Sequence, residues 1–434
     1  MRGVRFCMVT TFYPPYNFGG DGIGVQRLAR ALVRRGHAVT VVHDVDAYNA
    51  LHHGPEPKPE READGVEVVR LRSGLGILSP LLTQQTGRPV VHGHRLRRLL
   101  DQGRFDVIHF HNVSLVGGPG ILSAGRGLKL YEAHEHWLVC PTHVLWRHRR
   151  EPCTGRQCLR CTLRYGRPPQ LWRYTGYLER QLAYVDGFIA KSEFSRVKHY
   201  EFGFPRSMEV LPYFLPDPES LPATVDPPPY DRPYFLFVGR LERIKGLDDL
   251  IPLFRRYADA DLLIAGDGEY RGTLARLAAD APRVKFLGRV PPAALTAYYR
   301  HAIALIVPSV CFETFGIILI EAFQQATPVI ARRIGPFPEI VSQCGGGELF
   351  SSPEELVAAM SRLQTQAGLR DRLGRAAYAG FLRNWSESAV VPRYLDLIRR
   401  IAEAKGHTAV AAALNLDVPP ELAPHACHPH LPLC

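Results

Sequence analysis

Two glutamates with seven residues between them, Glu313 and Glu321, lie in the stretch PSVCFETFGIILIEAFQQATP. Its apolar pattern predicts a buried strand over 304–307, a loop over 308–315 and a helix over 316–325. Glu313 then lies in the loop and Glu321 inside the helix, so the two carboxylates reach different parts of one ligand. The backbone N–H groups at the helix start form an anion site. The alternative is a surface loop and helix with two solvated glutamates.

The size and composition of the chain predict a two-domain globular protein. It has 434 residues, of which 46% are hydrophobic and 22% charged, and two domains of roughly 200 residues each are expected. No apolar run approaches the ~18–20 residues of a membrane span, and the N-terminus lacks the pattern of a signal peptide. Nine scattered cysteines favour a reducing cytoplasm over a disulfide framework.

The net charge of +11 is concentrated in the first half of the chain. Residues 1–215 hold 30 Lys and Arg against 18 Asp and Glu, a net of +12, whereas residues 216–434 hold 23 against 24, a net of −1. A basic half indicates an anionic partner, which is a nucleic acid, an acidic membrane surface or a phosphorylated substrate. The alternative is an arginine-rich composition without a partner.

The N-terminal residues predict a βαβ unit with a glycine-rich turn. A strand over 4–10, a loop over 12–24, a helix over 25–35 and a strand over 37–43 give this alternation. Glycines in the turn let backbone N–H groups approach a phosphate closely.

A dinucleotide-binding unit is the alternative interpretation of this turn. It requires G-x-G-x-x-G and an acid about 20 residues later. Here Gly22 and Gly24 lack the third glycine, although Asp44 lies at about the right distance.

Polar residues follow two further strands, DVIHF and LKLYEA. Ligands of open α/β sheets bind at the carboxyl ends of strands, so these residues are candidates for a site. Each histidine could equally be a packed residue at a strand end. The residues are His109, His111, Asn112, His134, Glu135 and His136.

Four cysteines, Cys140, Cys153, Cys158 and Cys161, follow the second of these strands within 22 residues. Their spacing is typical of a structural metal site. Zinc is the expected metal, and an iron–sulfur cluster also accepts four thiolates. The alternative is that the four thiols bind no metal.

The segment around these cysteines is basic and aromatic. Residues 140–180 hold nine arginines against two glutamates, with Trp146, Trp172, Tyr174 and Tyr177 interleaved. We expect an acceptor-binding or membrane-surface element here. Charge reversal at the three neighbouring arginines tests this hypothesis: Arg147, Arg149 and Arg150.

A proline-rich connection, DPPPYDRP, places a domain boundary near 215–232. A second run of alternating strands and helices follows, and helices are expected over 353–383 and 386–405. The tail from Gly406 is expected to be disordered. Weak metal binding is the alternative, since the tail contains His407, His425, His428, His430, Cys427 and Cys434.

Five motifs resemble family-4 retaining glycosyltransferases, in the family's order: FYPPYNFGGDGIGVQRLARALVRRGHAVTVV, FVGRLERIKGLDDLI, IAGDGEY, FLGRV and the E-x7-E stretch. The resemblance spans about residues 4–400. It implies the GT-B fold, with two Rossmann-like α/β domains facing across a cleft. The implied parts are residues 1–215 (with a Cys-rich insertion at 137–175), residues 216–385, a helix over 386–405 that crosses back, and the tail 406–434.

The resemblance also implies roles for individual residues. Arg240 and Lys245 would bind the donor diphosphate, Glu313 would lie beside the donor sugar and Glu321 would bind the ribose hydroxyls. The remaining implied contacts are Phe315 and Gly316 at sugar and phosphate, Gly19 and Gly20 closing over the phosphates, His134 near the transferred sugar, and Arg289 and Val290 near the base.

The activity implied by the resemblance is transfer of a hexose, with retention, from a nucleotide-diphosphate sugar. UDP and GDP donors both suit the motifs, with a slight preference for UDP. The acceptor would be a lipid-linked or polysaccharide hydroxyl at the cytoplasmic face of a membrane, and no catalytic metal is implied. Asp44 and Asp46 resemble the D-x-D of a different glycosyltransferase architecture but follow the second strand.

Two other functions and one departure from the family's pattern stay open. An epimerase on the same fold would act without an acceptor, and a basic nucleic-acid-binding protein would use the four-cysteine metal loop. The segment LPYFLPD at 211–217 departs from the family's usual link, which leaves the hinge contacts and donor detail undetermined.

Overall fold

The computed structural model describes residues 3–52, 54–58, 64–219 and 227–415. Its first part is an α/β unit of nine strands and seven α-helices. The strands are β1 (Arg5–Val9), β2 (Ala38–Asp44), β3 (Glu67–Leu71), β4 (Val107–Phe110), β5 (Leu128–Ala133), β6 (Trp146–Arg147), β7 (Glu151–Pro152), β8 (Gly187–Ala190) and β9 (Glu209–Val210). The helices are α1 (Gly20–Arg34), α2 (Val45–Leu51), α3 (Leu78–Thr86), α4 (Gly93–Gln102), α5 (Cys158–Arg164), α6 (Tyr177–Leu182) and α7 (Glu193–Glu201).

The second part is another α/β unit, followed by two further helices. Its strands are β10 (Tyr234–Val238), β11 (Asp261–Ala265), β12 (Val284–Gly288), β13 (Leu305–Val307), β14 (Val329–Arg332) and β15 (Gly347–Phe350). Its helices are α8 (Leu247–Leu250), α9 (Arg271–Leu277), α10 (Pro292–His301), α11 (Ile317–Gln324), α12 (Phe337–Cys344), α13 (Pro353–Thr365) and α14 (Leu369–Asn384), and the chain continues into α15 (Glu387–Ala404) and α16 (Thr408–Leu414).

Each unit is built on a parallel sheet with helices on both faces. The first sheet has the order β3-β2-β1-β4-β5-β8-β9 and the second has β12-β11-β10-β13-β14-β15. Their central strands are almost entirely buried because apolar residues face helices on either side, whereas the edge strands β3, β9, β12 and β15 are only partly buried. This confirms the predicted α/β class and the two Rossmann-like domains.

The strand order of each sheet fixes where a ligand can bind. In the first sheet the order reverses between β1 and β4, and in the second it reverses between β10 and β13. The loops that leave neighbouring strands at such a point diverge, which opens a crevice at the carboxyl ends of the strands.

Helix α15 links the two domains by packing on the first one. Val391, Leu395 and Ile398 are fully buried in the same core cluster as Phe6 of β1. The two crossings between the domains lie side by side, since the N–H of Leu215 donates to the carbonyl of Trp385 at 3.0 Å. Within the described ranges, no helix has the length and apolarity needed to cross a membrane.

Helix α1 starts at Gly20, five residues before the predicted start at 25. The prediction assigned 12–24 to a loop, and glycine has a low helix propensity, about 1 kcal/mol per residue below alanine. Close packing outweighs that cost. A Cβ on Gly22 would lie 2.5 Å from the side chain of Asn17, and one on Gly24 would lie 2.6 Å from the ring of Tyr213.

The expectation of a disordered tail from Gly406 is wrong for its first residues. Helix α16 packs on α15 and buries Val410, Ala411 and Leu414 in the core of the first domain. The short apolar pattern in TAVAAAL gave too weak a signal without its tertiary partner. Residues 416–434, including His425, His428 and His430, lie outside the described residues.

Replacing Leu414 with alanine is expected to lower the free energy of unfolding by about 2–5 kcal/mol, since it removes a fully buried side chain. Urea denaturation followed by circular dichroism measures this loss. Ala412→Gln, on the exposed side of the same helix, is the matched control and should change it by less than about 0.5 kcal/mol. Equal stability of both variants and the wild type would contradict the packing of α16.

Candidate active site

The loops at the switch point of the second sheet bring predicted site residues together. The loop after β10 carries Arg240 and Lys245, and the loop after β13 carries Glu313. Gly246 permits their close approach, because it has a φ of +73° and a Cβ there would lie 2.0 Å from the carbonyl oxygen of Pro308.

Lys245 and Glu313 form a direct ion pair, with Nζ 2.6 Å from Oε1. The hydroxyl of Ser309 also donates to this carboxylate at 3.0 Å. Burial would lower the pKa of Lys245, but the charge of Glu313, its hydrogen bond and the nearby Cys311 together outweigh burial, and the pKa is raised. Burial would raise the pKa of Glu313, but Lys245, Ser309 and Arg240 together lower it. Both groups are therefore charged at neutral pH.

Arg240 is the more exposed cation of this group. Its guanidinium lies 3.0 Å from Glu242, and its side chain is 58% accessible. Both cations have a carboxylate partner, but Arg240 is the more accessible of the two to an anion entering the cleft.

The start of α11 faces the same space. Gly316 is its N-cap residue, with a φ of +108° and no side chain capping the helix end. The first N–H groups of a helix have no partner within the helix, and they carry its positive dipole end. Phe315 is buried beneath them and packs edge-on against Tyr213 with ring centroids 5.7 Å apart.

Glu321 lies one turn further along α11, away from Glu313. It accepts a hydrogen bond from the hydroxyl of Tyr299 at 3.0 Å and lies 3.6 Å from the guanidinium of Arg27, which belongs to the first domain. Burial raises the pKa of Glu321 against the opposing effects of Arg27 and Tyr299.

The glycine-rich turn of the first domain meets α11 from the other side. Gly19 is the N-cap of α1 and Gly20 its first residue. A Cβ on Gly20 would lie 3.6 Å from the side chain of Ile317. The predicted phosphate-covering turn and the predicted anion site are therefore adjacent.

His134 lies at the domain junction but is held by protein groups. Its Nε2 lies 2.9 Å from Nδ1 of His111, and its Nδ1 is hydrogen-bonded to the hydroxyl of Tyr213. Burial lowers the pKa of His134 to about 4, so the ring is neutral. A hydrogen bond from this imidazole to a sugar requires one of these contacts to be given up or shared.

Behind His134 lies a buried polar network. Glu132 pairs with Lys191, and its Oε2 lies 3.3 Å from Nε2 of His109 and 3.4 Å from Nδ1 of His111. Nδ1 of His109 is 2.9 Å from the hydroxyl of Tyr394 on α15. The histidines at the strand ends therefore connect the first sheet to the returning helix.

Arg289 and Val290 follow β12 at the far side of the cleft. Val290 packs against the core of the second domain. Burial raises the pKa of Tyr48 in the first domain, and the charge of Arg289 opposes that rise.

Sequence reasoning missed the residues that join the two domains. Ser192 donates to the carbonyl of Thr314 at 2.7 Å, and the Thr314 hydroxyl donates to the carbonyl of His134 at 2.8 Å. Glu339 of α12 accepts the N–H groups of Glu193 at 3.0 Å and Phe194 at 3.1 Å, capping α7 of the other domain. No local pattern marks these residues, because each acts on a distant segment.

The acidic pair of the D-x-D alternative is used inside the first domain. Asp44 caps α2 by accepting the N–H of Ala47 at 3.1 Å, and burial raises its pKa to about 7. Asp46 accepts hydrogen bonds from Ser73 and from His92 at 3.1 Å. These contacts hold loops of the first domain and lie apart from the Lys245–Glu313 pair.

The four cysteines of the insertion do not form a compact ligand group. Within the described ranges, the groups of three or more potential ligands whose atoms all lie within 4.8 Å of one another are His109–His111–Glu132 and Asp44–Asp46–His92. The zinc or iron–sulfur centre thus stays a prediction.

The cross-domain cap by Glu339 generates a prediction. Glu339→Ala removes an acceptor from the first turn of α7, a loss of about 1–2 kcal/mol, so amide exchange of residues 193–201 should rise about tenfold. Hydrogen–deuterium exchange with mass spectrometry measures it. Glu348→Ala breaks an ion pair with Arg362 inside the second domain and should leave α7 unchanged. Equal exchange in both variants would contradict the cap.

Comparison with known proteins finds a glycosyltransferase family model over each of the two domains. Residues 18–215 match the family described as Glycosyltransferase Family 4, and residues 225–380 match Glycosyl transferases group 1. The phosphatidyl-myo-inositol mannosyltransferase of Mycobacterium tuberculosis is 26% identical over 425 residues, covering 92% of this chain and 98% of that protein.

Solved structures share the fold. The sucrose-phosphate synthase from Thermosynechococcus elongatus superposes with a TM-score of 0.70 at 19% identity, covering 92% of this chain and all of that one. HepE of Anabaena, in complex with UDP and glucose, gives a TM-score of 0.62 at 16% identity, covering 91% and 99%. The two matched families follow one another along most of the sequence, and the chain is therefore a glycosyltransferase of the GT-B fold, similar to family 4.

Proposed function

We propose that the protein is a retaining hexosyltransferase that uses a nucleotide-diphosphate sugar. The observation that carries this proposal is the grouping of Lys245, Arg240 and the uncapped start of α11 at one switch point. Two fixed cations and a helix N-terminus suit a diphosphate, and the turn at Gly19 and Gly20 covers them from the opposite domain.

The same arrangement supports departure of the diphosphate. Cleavage of the glycosyl–phosphate bond builds positive charge at the anomeric carbon and negative charge on the leaving oxygens. Preorganised cations at the diphosphate stabilise that developing charge. The acceptor hydroxyl would attack on the face that the phosphate leaves, and a departing phosphate oxygen would take its proton. Glu313 then positions Lys245 and polarises the sugar without forming a covalent bond.

The remaining donor contacts follow from the positions of Glu321 and Arg289. Ribose hydroxyls would bind Glu321, which the structure pairs with Arg27, and the base would lie near Arg289 and Val290. We favour UDP over GDP because HepE, which has the same fold, was solved with UDP. The epimerase and nucleic-acid-binding alternatives are not favoured by the family matches.

The acceptor would be a lipid-linked or polysaccharide hydroxyl presented at the cytoplasmic face of a membrane. Helix α3 exposes Leu78, Leu81 and Leu82, and the segment packed against it exposes Leu171 and Tyr174. The indole N–H of Trp172 donates to the carbonyl of Gln84 at 2.9 Å, which joins these two parts into one surface.

We propose that this apolar surface docks on anionic lipid together with the basic helix α5. Arg160 and Arg164 are exposed on α5 beside Leu159 and Leu163. Apolar side chains among basic ones suit the interface of an anionic bilayer. Of the arginines that the sequence singled out, Arg147 pairs with Glu151 and Arg149 donates to the carbonyl of Tyr165. These contacts stabilise the β6–β7 hairpin.

Donor binding tests the site directly. Lys245→Ala should weaken UDP or GDP binding about 10- to 100-fold, since a charged hydrogen bond is worth about 1.5–3 kcal/mol, and Glu313→Ala should abolish transfer. Calorimetry measures the affinity. Lys285→Ala, at an exposed lysine on β12 of the same domain, is the control. Wild-type affinity in Lys245→Ala, with full turnover in Glu313→Ala, would contradict the proposed site.

Vesicle flotation tests the docking surface. The double variant Leu78→Glu and Leu81→Glu should reduce binding to phosphatidylglycerol vesicles at least tenfold, because each buried leucine contributes about 1.5–3 kcal/mol. Leu382→Glu changes a leucine of equal exposure to Leu81, 40% against 41%, in the other domain, and should bind like the wild type. Equal loss in both variants, or wild-type binding in the double variant, would contradict the assignment.

A further inference from the structure

The four cysteines of the insertion are not used by the proposed reaction, yet they occupy distinct structural positions. Cys140 lies in the buried loop after β5, Cys153 directly follows the β6–β7 hairpin, and Cys158 and Cys161 lie on the first turn of α5. All four thiols are free of disulfide bonds. A loop, a hairpin and a helix thus contribute cysteines to one module, residues 140–166.

Contacts between these parts bring their thiols towards one another. Cys140 and Cys153 pack in the same small cluster with Leu145. The N–H of His148, at the hairpin turn, donates to the sulfur of Cys161 at 3.3 Å. Residues three apart on a helix share one face, so Cys158 lies on the side of α5 that carries Cys161. An N–H donor to sulfur is a contact that a thiolate strengthens.

The apolar core of this module is too small to stabilise its strained backbone. The cluster has three buried members, Cys140, Leu145 and Phe202. Four non-glycine residues have left-handed backbone angles, each costing about 1–3 kcal/mol. They are His143 (φ +75°), Leu145 (+46°), His148 (+54°) and Arg149 (+61°). Small units of this kind usually require a cross-link.

The charges around the thiols suit a cross-link of negative charge. One divalent metal with four thiolates carries a net charge of −2. Three arginines lie in the module or border it: Arg147 on the hairpin, Arg156 before α5 and bonded to the carbonyl of Phe202, and Arg173 stacked on Trp137 and Trp172. These guanidiniums would offset that charge.

We propose that Cys140, Cys153, Cys158 and Cys161 bind one Zn²⁺ tetrahedrally. Binding releases the four thiol protons and forms four Zn–S bonds of about 2.3 Å, which sets the sulfurs about 3.8 Å apart. No three of these sulfurs lie within 4.8 Å of one another in the described structure, so the hairpin and α5 have to approach each other on binding.

The module contacts the loop that carries Glu313, so metal binding would affect the cleft. Phe312, the residue before Glu313, packs against the cluster of Cys140 and Cys153, and its ring lies 5.4 Å from that of Phe194. The zinc-bound module would therefore stabilise the surface of the first domain that packs against the Glu313 loop of the second.

Metal analysis of the intact chain tests the proposal. Protein produced in medium containing both zinc and iron should carry about one zinc per chain by plasma mass spectrometry. Cobalt, exchanged for zinc after chelation, should give thiolate charge-transfer bands and the d–d bands of a tetrahedral site. Cys158→Ser with Cys161→Ser should lose both signals, whereas Cys344→Ala, outside the module, should keep them.

Chelation of the wild-type chain covers the case in which the double variant fails to fold. Zinc removal should expose four thiols to Ellman's reagent, and zinc readdition should protect them again. Iron with labile sulfide in place of zinc, or no bound metal with four thiols reactive from the start, would overturn the zinc assignment.

Discussion

Helix α15 leaves the second domain at Trp385 and buries Val391, Leu395 and Ile398 in the core of the first. Burying such side chains contributes about 1.5–3 kcal/mol each, and this energy holds two separate sheets in one orientation. The two segments that connect the domains, at Leu215 and Trp385, are hydrogen-bonded to each other. The two switch points face one another across a cleft because of this packing.

The charged side chains in the cleft are already paired with one another. Glu313 keeps Lys245 fully charged, and Arg27 occupies Glu321. A nucleotide-diphosphate donor would bring negative charge to Lys245 and hydroxyl groups to Glu321, so that each protein contact has a ligand counterpart. Exchange of protein contacts for ligand contacts would limit the desolvation cost of binding. The pairing also explains how buried charges are tolerated without a ligand.

Local patterns predicted the long strands of both sheets and most helices of the second domain, because apolar periodicity and glycine turns act over a few residues. The candidate roles of Lys245 and Glu313 came from the family resemblance. Arg27, Glu339 and the Tyr213 contact of His134 could not be predicted, since each depends on a segment more than 75 residues away in the chain. The early start of α1 and the existence of α16 were missed for the same reason. Tertiary packing outweighed weak local propensity in both.

The most direct test of the proposed donor site is a crystal structure of the protein with UDP or GDP. We expect the diphosphate within hydrogen-bond distance of Lys245 and the first N–H groups of α11, and the ribose hydroxyls on Glu321 in place of Arg27. A nucleotide bound elsewhere, with the Lys245–Glu313 and Arg27–Glu321 contacts unchanged, would contradict the account.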